Sequence, residues 1–255
     1  MTKDRPKIAL VNGASRGLGK NAALTLAKKL VDVIVTYHNG EEKANKVVAE
    51  IELIGVKAIT LQLDTANIKS FNGFVEEVKR SLQENWQIEH FDFLVNNSGG
   101  GVYASFSDMT EDDFDRLMNV HFKGVFFLTQ KLLPLIEDGG RIVNISSGLA
   151  RFTYPGYAAY ASMKGAIEVL TRYMAKELGS RQIAVNVVAP GAIETDFSGG
   201  TVRDNLDLNS FIASQTALGR VGLPDDIGGA IAALLSEESR WINGQRIEVS
   251  GGQSL

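Results

Sequence analysis

Short runs of β-branched and other apolar residues alternate along this chain with longer stretches in which apolar positions recur every three or four residues. Ile8-Ala-Leu-Val-Asn12 comes first, and a glycine-rich stretch then opens a helical pattern over Lys20 to Leu30, which reads as strand, tight turn and helix. The rhythm returns with Val33-Ile-Val-Thr36 before a helix from about Glu41, Lys57 to Leu63 before a helix from Ile68, and Phe93-Leu-Val-Asn96 before a helix from Glu111. Further strands are predicted at Arg141 to Ile145, Ala184 to Ala189 and Arg246 to Val249, and a helix over Tyr157 to Gly179. Most of these strands are too apolar to alternate, which points to a parallel sheet covered on both faces by crossover helices. The predicted fold class is α/β, doubly wound. No Pro/Ser-rich linker, low-complexity tract or internal repeat divides the chain, so residues 1–255 read as a single domain. Residues 191–222 carry few periodic signals and contain Gly199-Gly200, and a loop this long in a compact domain predicts an active-site lid.

Composition narrows the chemistry. A length of 255 residues suits one large α/β domain, and 44% hydrophobic with 22% charged residues is ordinary for a globular protein. With no cysteine there is no disulfide framework, Cys-ligated zinc, iron–sulfur cluster or thiol nucleophile. A net charge of −4 without a clustered Lys/Arg run argues against nucleic acid or an anionic membrane as partner and favours a small molecule. Neither the start, Met1 to Gly13, nor any later stretch has the apolar length of a signal or a membrane span, so cytoplasmic residence is expected.

Two motifs carry chemistry. Gly17-Leu-Gly19-Lys-Asn-Ala22, with Gly13 four residues earlier, fits a dinucleotide fingerprint at the first strand-to-helix turn. Glycines allow the backbone to approach a pyrophosphate, and the new helix points its free N–H groups and dipole at that charge. Tyr160 and Lys164 lie four apart in a helical stretch and share one face; no other tyrosine of the chain has a lysine at that spacing. An ammonium beside a phenol favours the phenolate and brings tyrosine toward the range of a general acid/base. Ser147 follows the apolar strand 141–145, at the sheet edge where open α/β folds place ligands, and its hydroxyl could bond a substrate carbonyl.

Taken together, Asn12-Gly-Ala-Ser-Arg-Gly-Leu-Gly19, Asn96-Asn-Ser-Gly99, Ile145-Ser-Ser147, Tyr160-Ala-Ser-Met-Lys164, Pro190-Gly191 and Val249-Ser-Gly-Gly252 resemble the classical short-chain dehydrogenase/reductase family, in order along nearly the whole chain. The resemblance implies a single Rossmann-type domain with a seven-stranded parallel sheet, hydride transfer at a nicotinamide without a metal, and a homotetramer or dimer. It makes Tyr160 the acid/base, Lys164 the residue that lowers its pKa and holds the nicotinamide ribose, and Ser147, thirteen residues before the tyrosine, the carbonyl-orienting hydroxyl in place of Ser146. It assigns cofactor contacts to Gly13, Ser15, Arg16, Gly17, Leu18 and Gly19 in the turn and to Tyr37 and His38 at the end of the second strand. Asp64 corresponds to the adenine-contacting acid, Asn97 and Gly99 to the ribose-side turn, and Pro190, Gly191, Ile193 and Thr195 to the nicotinamide side. Asn96 reads as a tie between strands.

Three positions depart from the family. Asn12 and Ser98 stand where threonine and alanine are usual, and His121 occupies the position of the family's catalytic asparagine. His121 is therefore a candidate catalytic residue, replacing that asparagine in a proton relay, with a buried packing role as the other reading. NADP(H) is the expected cofactor, with NAD(H) left open: Thr36 sits where an NAD enzyme has an acid, Glu41 begins the next helix, and Arg16 resembles the basic residue of NADP-dependent members. The expected activity is reduction of a ketone or aldehyde, or the reverse oxidation, in an apolar cleft bordered by Ser98-Gly-Gly-Gly101, Val102, Arg151 to Tyr157 and Phe197. The rival readings are a 3-oxoacyl-[acyl-carrier-protein] reductase, for which Lys123, Lys131, Arg151 and Arg172 are the candidate docking cations, and a dinucleotide-sensing protein without turnover.

Overall fold

Residues 5–255 are described by a computed structural model; the first four residues of the charged start read above, Met1 to Asp4, lie outside them. Seven parallel strands form one sheet in the order β3-β2-β1-β4-β5-β6-β7. They are β1 (Ile8–Val11), β2 (Asp32–Tyr37), β3 (Ala58–Gln62), β4 (Phe91–Asn96), β5 (Ile136–Ile145), β6 (Ala184–Pro190) and β7 (Arg246–Val249). Helices connect them: α1 (Gly17–Ala27), α2 (Glu41–Ile54), α3 (Phe71–Trp86), α4 (Glu111–Met118), α5 (Gly124–Leu132), α6 (Ala158–Glu177), α7 (Thr201–Asp204), α8 (Leu206–Ser214) and α9 (Pro224–Leu234). The doubly wound α/β fold expected from the apolar strands is the one found. Among the described residues no helix is long and apolar enough to cross a membrane.

Each face of the sheet has its own core. Ala9, Val11, Val33 and Val35 point toward Ala22, Ala23 and Leu26 of α1, Val47 and Ile51 of α2, and Ile227 and Ile231 of α9. Ile8, Leu10, Ile34 and Leu94 point the other way, onto Phe71, Phe74, Val78 and Leu82 of α3 and Leu128 and Leu132 of α5. Neighbouring residues of β1 thus enter opposite cores, and the strand shows no polar face because neither face meets water. The order of strands reverses between β1 and β4, so the loops after them leave a crevice at the C-terminal edge.

Three local departures have physical causes. β5 begins at Ile136, ahead of the expected Arg141, because the polar Glu137-Asp138-Gly139-Gly140 runs through a register shift against β4; Gly139 takes φ +79 there. Between α4 and α5 the helix makes a π turn, Asn119–Lys123, just before Gly124, where a side chain would drive into the Thr65 and Asn119 carbonyls. The irregular stretch 191–222 holds α7 and α8, joined to β6 through left-handed Ser198, Gly199 and Gly200. Helices this short leave too few turns for a periodic signal.

Candidate active site

The ends of β1 to β6 supply the site. After β1, Gly13 (φ +68) and Gly17 (φ +57) take left-handed backbone, and Arg16 begins α1 without a side-chain cap, leaving the first N–H groups of the helix open. Gly19 has no room for a side chain, since one would run into the Gly13 carbonyl. The turn is braced from below: Asn97 Nδ2 donates to the Asn12 and Gly13 carbonyls at 3.1 and 3.2 Å, and Gly13 N donates to Thr36 Oγ1 at 3.0 Å. Asn12 Oδ1 accepts from Thr36 Oγ1 at 3.2 Å and from Ser98 Oγ. The two family departures, Asn12 and Ser98, are therefore partners of each other, and Thr36 is part of the turn's support.

Ser15, Gly40 and Lys43 cluster where the turn meets the end of β2. Arg16 is exposed and forms no ion pair among the described residues. His38 and Asp64 face each other at 3.8 Å, and Asp64 Oδ1 accepts from Ala66 N at 2.9 Å. Tyr37 and Leu18 are half-buried against the core. From the far side of the crevice Thr195 lies beside Gly17, Ile193 bridges to Gly222, and Gln253 Oε1 accepts from Ala192 N at 2.8 Å just after Pro190-Gly191. This backbone cradle, with its open helix N-terminus and its unpaired arginine, fits a dinucleotide. Gln253 was not visible as a participant, because nothing local in sequence links a C-terminal glutamine to a residue 61 positions earlier.

The candidate acid/base group is assembled by β5 and α6. Ser147 has extended backbone, and its Oγ accepts from Leu149 N at 3.2 Å, starting the turn Gly148–Ala150. Tyr160 and Lys164 occupy successive turns of α6, both buried. The Lys164 ammonium donates to the Ile145 carbonyl at 2.7 Å and stands 5.6 Å from the centre of the Tyr160 ring. Burial pushes the Tyr160 phenol above the usual tyrosine range, while a hydrogen bond from Ser147 pulls it down. Burial also lowers Lys164 to about 7. The lysine is bonded to the strand end while its charge lies beside the Tyr160 ring, and burial is the largest influence on the phenol.

His121, on the π turn, is 2% exposed and packs edge-on to Tyr160 with ring centres 5.0 Å apart. Its Nε2 lies 2.7 Å from the Gly100 carbonyl, which can only accept, so Nε2 carries the proton. Nδ1 is buried without a partner and lies against Gly99. Burial first, and the Lys164 charge second, hold the imidazole at about 3, so it stays neutral. It can accept a hydrogen bond at Nδ1 but carries no proton in excess of the one given to Gly100. Asn96 ties the sheet to α5, donating to Asn144 Oδ1 and Thr129 Oγ1 at 2.9 Å.

Phe197 from the 191–222 segment leans on the Tyr160 ring at 5.8 Å and leaves no room for a side chain at Gly101. Beside it opens a cleft of about 730 Å³ lined by Tyr103, Phe106, Leu149, Tyr154 and Tyr157. Leu149 and Tyr157 also pack around Tyr160. Of the expected cleft border, Arg151 faces away, toward Glu248 at 2.7 Å.

Comparison with known proteins agrees with this geometry. Residues 13–254 match a family model described as enoyl-(acyl carrier protein) reductase. A hydroxynaphthalene reductase-like protein of Metarhizium brunneum is 38% identical, over 96% of this chain and 94% of its own. Among solved structures, the promiscuous reductase LugOII, which catalyses keto-reduction at C1 in lugdunomycin biosynthesis, superposes with a TM-score of 0.93 at 37% identity, covering 98% of this chain and 99% of that one. The angucycline C-6 ketoreductase LanV with bound NADP gives 0.92 at 35%, covering 97% and 95%. With its motifs, its sheet order and its relatives in agreement over nearly the full length, the chain belongs to the short-chain dehydrogenase/reductase family of oxidoreductases.

Proposed function

We propose that this chain is an NADP(H)-dependent reductase of ketones, with Tyr160 as the proton donor. The observation that carries the reading is the convergence of Ser147, Tyr160 and Lys164 at the C-terminal edge of β5, beside a cleft walled by apolar and aromatic side chains. A bound nicotinamide supplies the hydride chemistry. Ser147 then bonds the carbonyl oxygen, and Tyr160 gives that oxygen its proton. Lys164, anchored by one of its protons on Ile145, is placed to hold the ribose and favour the phenolate. His121 remains neutral beside the phenol, with Nδ1 as a free acceptor, and takes the place of the asparagine without adding charge. The 191–222 segment, through Phe197, covers Tyr160 and excludes water.

The NADP(H) preference rests on Arg16, which has no ion-pair partner among the described residues, and on the end of β2, where Tyr37-His38-Asn39-Gly40 offers no carboxylate to repel a 2′-phosphate and Thr36 is buried in support of the turn. The hydroxynaphthalene reductase-like relative, and the angucycline C-6 ketoreductase LanV with bound NADP, support the same reading and point to aryl ketones as substrates. A homotetramer is part of this proposal, since α5 and α6 leave Phe126, Val169 and Tyr173 exposed. The acyl-carrier-protein alternative weakens: of the four candidate docking cations, Arg151 is held by Glu248, and Arg172 donates to the Glu168 carbonyl of its own helix. The test is a panel of ketones, alcohols and acyl thioesters assayed with both cofactors, for the wild type and Tyr160→Phe. The expected result is ketone reduction with NADPH and a loss of roughly 100- to 10,000-fold in turnover for the variant, with cofactor binding retained. A Phe variant that keeps most of its turnover overturns the assignment of the acid, and tight cofactor binding with no turnover on any substrate revives the sensor.

A further inference from the structure

Ser146 and Ser147 are adjacent but face different partners, and the buried one leads to a cluster of charges that the proposed chemistry does not use. Ser146 N donates to the Val188 carbonyl at 2.7 Å, and its hydroxyl donates to Glu168 Oε1 at 2.7 Å, with the Lys164 carbonyl at 3.2 Å. Glu168 lies one helical turn beyond Lys164, on the same face of α6. Its Oε1 also accepts from Arg246 Nε at 2.7 Å, and Arg246 Nη1 donates to Glu248 Oε2 at 2.8 Å. Glu248 is gripped by both arms of Arg151, from Nε at 2.8 Å and Nη2 at 2.7 Å. Arg151 in turn closes the short turn that Ser147 begins, with Arg151 N donating to the Gly148 carbonyl at 2.8 Å. The path therefore returns to Ser147: strand end, Glu168, Arg246, Glu248, Arg151, turn, serine.

We propose that Arg151, Glu248, Arg246 and Glu168 form a positioning ring that fixes the direction of the Ser147 hydroxyl. The inference rests on Ser147 being the hydroxyl that bonds the carbonyl. Two acids alternate with two bases, so every charge in the ring is met by its opposite; the Glu168, Glu248 and Arg246 side chains are 14% to 24% exposed, and Arg151 closes the ring from the exposed side at 37%. Isolated exposed pairs contribute little, but a partly buried network with a forked Arg–carboxylate contact holds geometry. Arg246 keeps its place through Nε and Nη1, its Nη2 being buried without a partner. What the ring holds is the turn that offers Leu149 N–H to Ser147 Oγ. That bond occupies one lone pair of the hydroxyl and leaves its hydrogen for the phenol or the substrate. Arg151 also donates to the Gln253 and Ser254 carbonyls, so the same residue steadies the C-terminal turn that supports Ala192.

A double-mutant cycle in the full-length protein separates this role from general stability. Arg151→Met is expected to lower kcat by roughly 10- to 100-fold, the scale of a displacement near 1 Å at a reacting group, with little change in cofactor Kd. Glu248→Gln, which keeps the shape and removes the charge, is expected to act in the same direction. In the Ser147→Ala background both substitutions should cost almost nothing further, since the hydroxyl they position is gone. An equal loss in both backgrounds, or a drop in melting temperature with kcat unchanged, overturns the ring while leaving the role of Ser147 intact. A Ser147→Ala variant with full activity overturns the serine assignment, and the ring with it.

Discussion

His121 makes the stability of this protein depend on pH in a way that an asparagine at the same position would not. In the folded chain the imidazole is 2% exposed, donates through Nε2 to Gly100 and is held neutral down to a pH of about 3. In the unfolded chain it binds a proton near 6.5. Between those two values the unfolded state binds the extra proton, so stability falls as the pH drops from 6.5 toward 3. Each pH unit inside that window costs about 1.4 kcal/mol, which gives about 2 to 3 kcal/mol by pH 4.5. The burial is nearly complete, so solvent does little to reduce the figure. Replacing His121 by Asn removes this contribution and leaves every other titrating group in place. Urea unfolding of both proteins at pH 7.5 and 4.5, at one protein concentration, reads the effect directly. The stability difference between wild type and variant should shift in favour of the variant by about 2 to 3 kcal/mol on going to the lower pH. A shift below about 0.5 kcal/mol would refute the reasoning, for it would mean that the folded protein protonates His121 as readily as the unfolded chain does.

The remaining predictions concern the residues around that ring and the cofactor. Gly99 has no space for a methyl group because the His121 imidazole occupies it, so Gly99→Ala should destabilise by about 1 to 3 kcal/mol and His121→Asn should relieve much of that loss in the double variant; additive melting shifts would count against the contact. Arg16→Ala should raise the KM for NADPH by roughly 10- to 100-fold, the scale of a lost charge-assisted hydrogen bond, and leave that for NADH nearly unchanged; an equal rise for both would make Arg16 a structural part of the turn. Light scattering should give a mass well above the 27.6 kDa of one chain, four-fold for a tetramer, and Tyr173→Glu on the exposed face of α6, where Tyr173 is 65% exposed, should lower it.

Where the chain declares itself in sequence, the signal is local. The apolar strands were legible because burial on both faces removes every polar position from Ile8 to Val11, and Tyr160 and Lys164 because four residues make one helical turn. The glycine turn was legible because left-handed backbone at Gly13 and Gly17 leaves few other residue choices. The π turn at Asn119 to Lys123 was not, and neither was the close approach of Thr65, more than fifty residues away, to the Gly124 that follows it. The same holds for Ser146. A serine beside the catalytic candidate reads as its understudy when only spacing is available, and becomes a rivet between β5 and α6 once Glu168 is seen to accept its hydrogen bond. Arg151 shows the other side of this limit. In sequence it counts as one of four cations free to dock an acidic partner, yet its guanidinium is fully engaged by a glutamate and two carbonyls from the last eight residues of the chain. Sequence gives the sign of a charge, while its availability depends on partners that only the fold brings near. The departure at position 121 combines both cases: the histidine is visible, but its neutrality comes from a burial to which Tyr160 of α6 and the Gly99-Gly100 loop contribute. An imidazole in the place of a carboxamide thus keeps a hydrogen-bonding side chain beside Tyr160 and adds no charge to the site, at the cost of a glycine wherever its ring must fit.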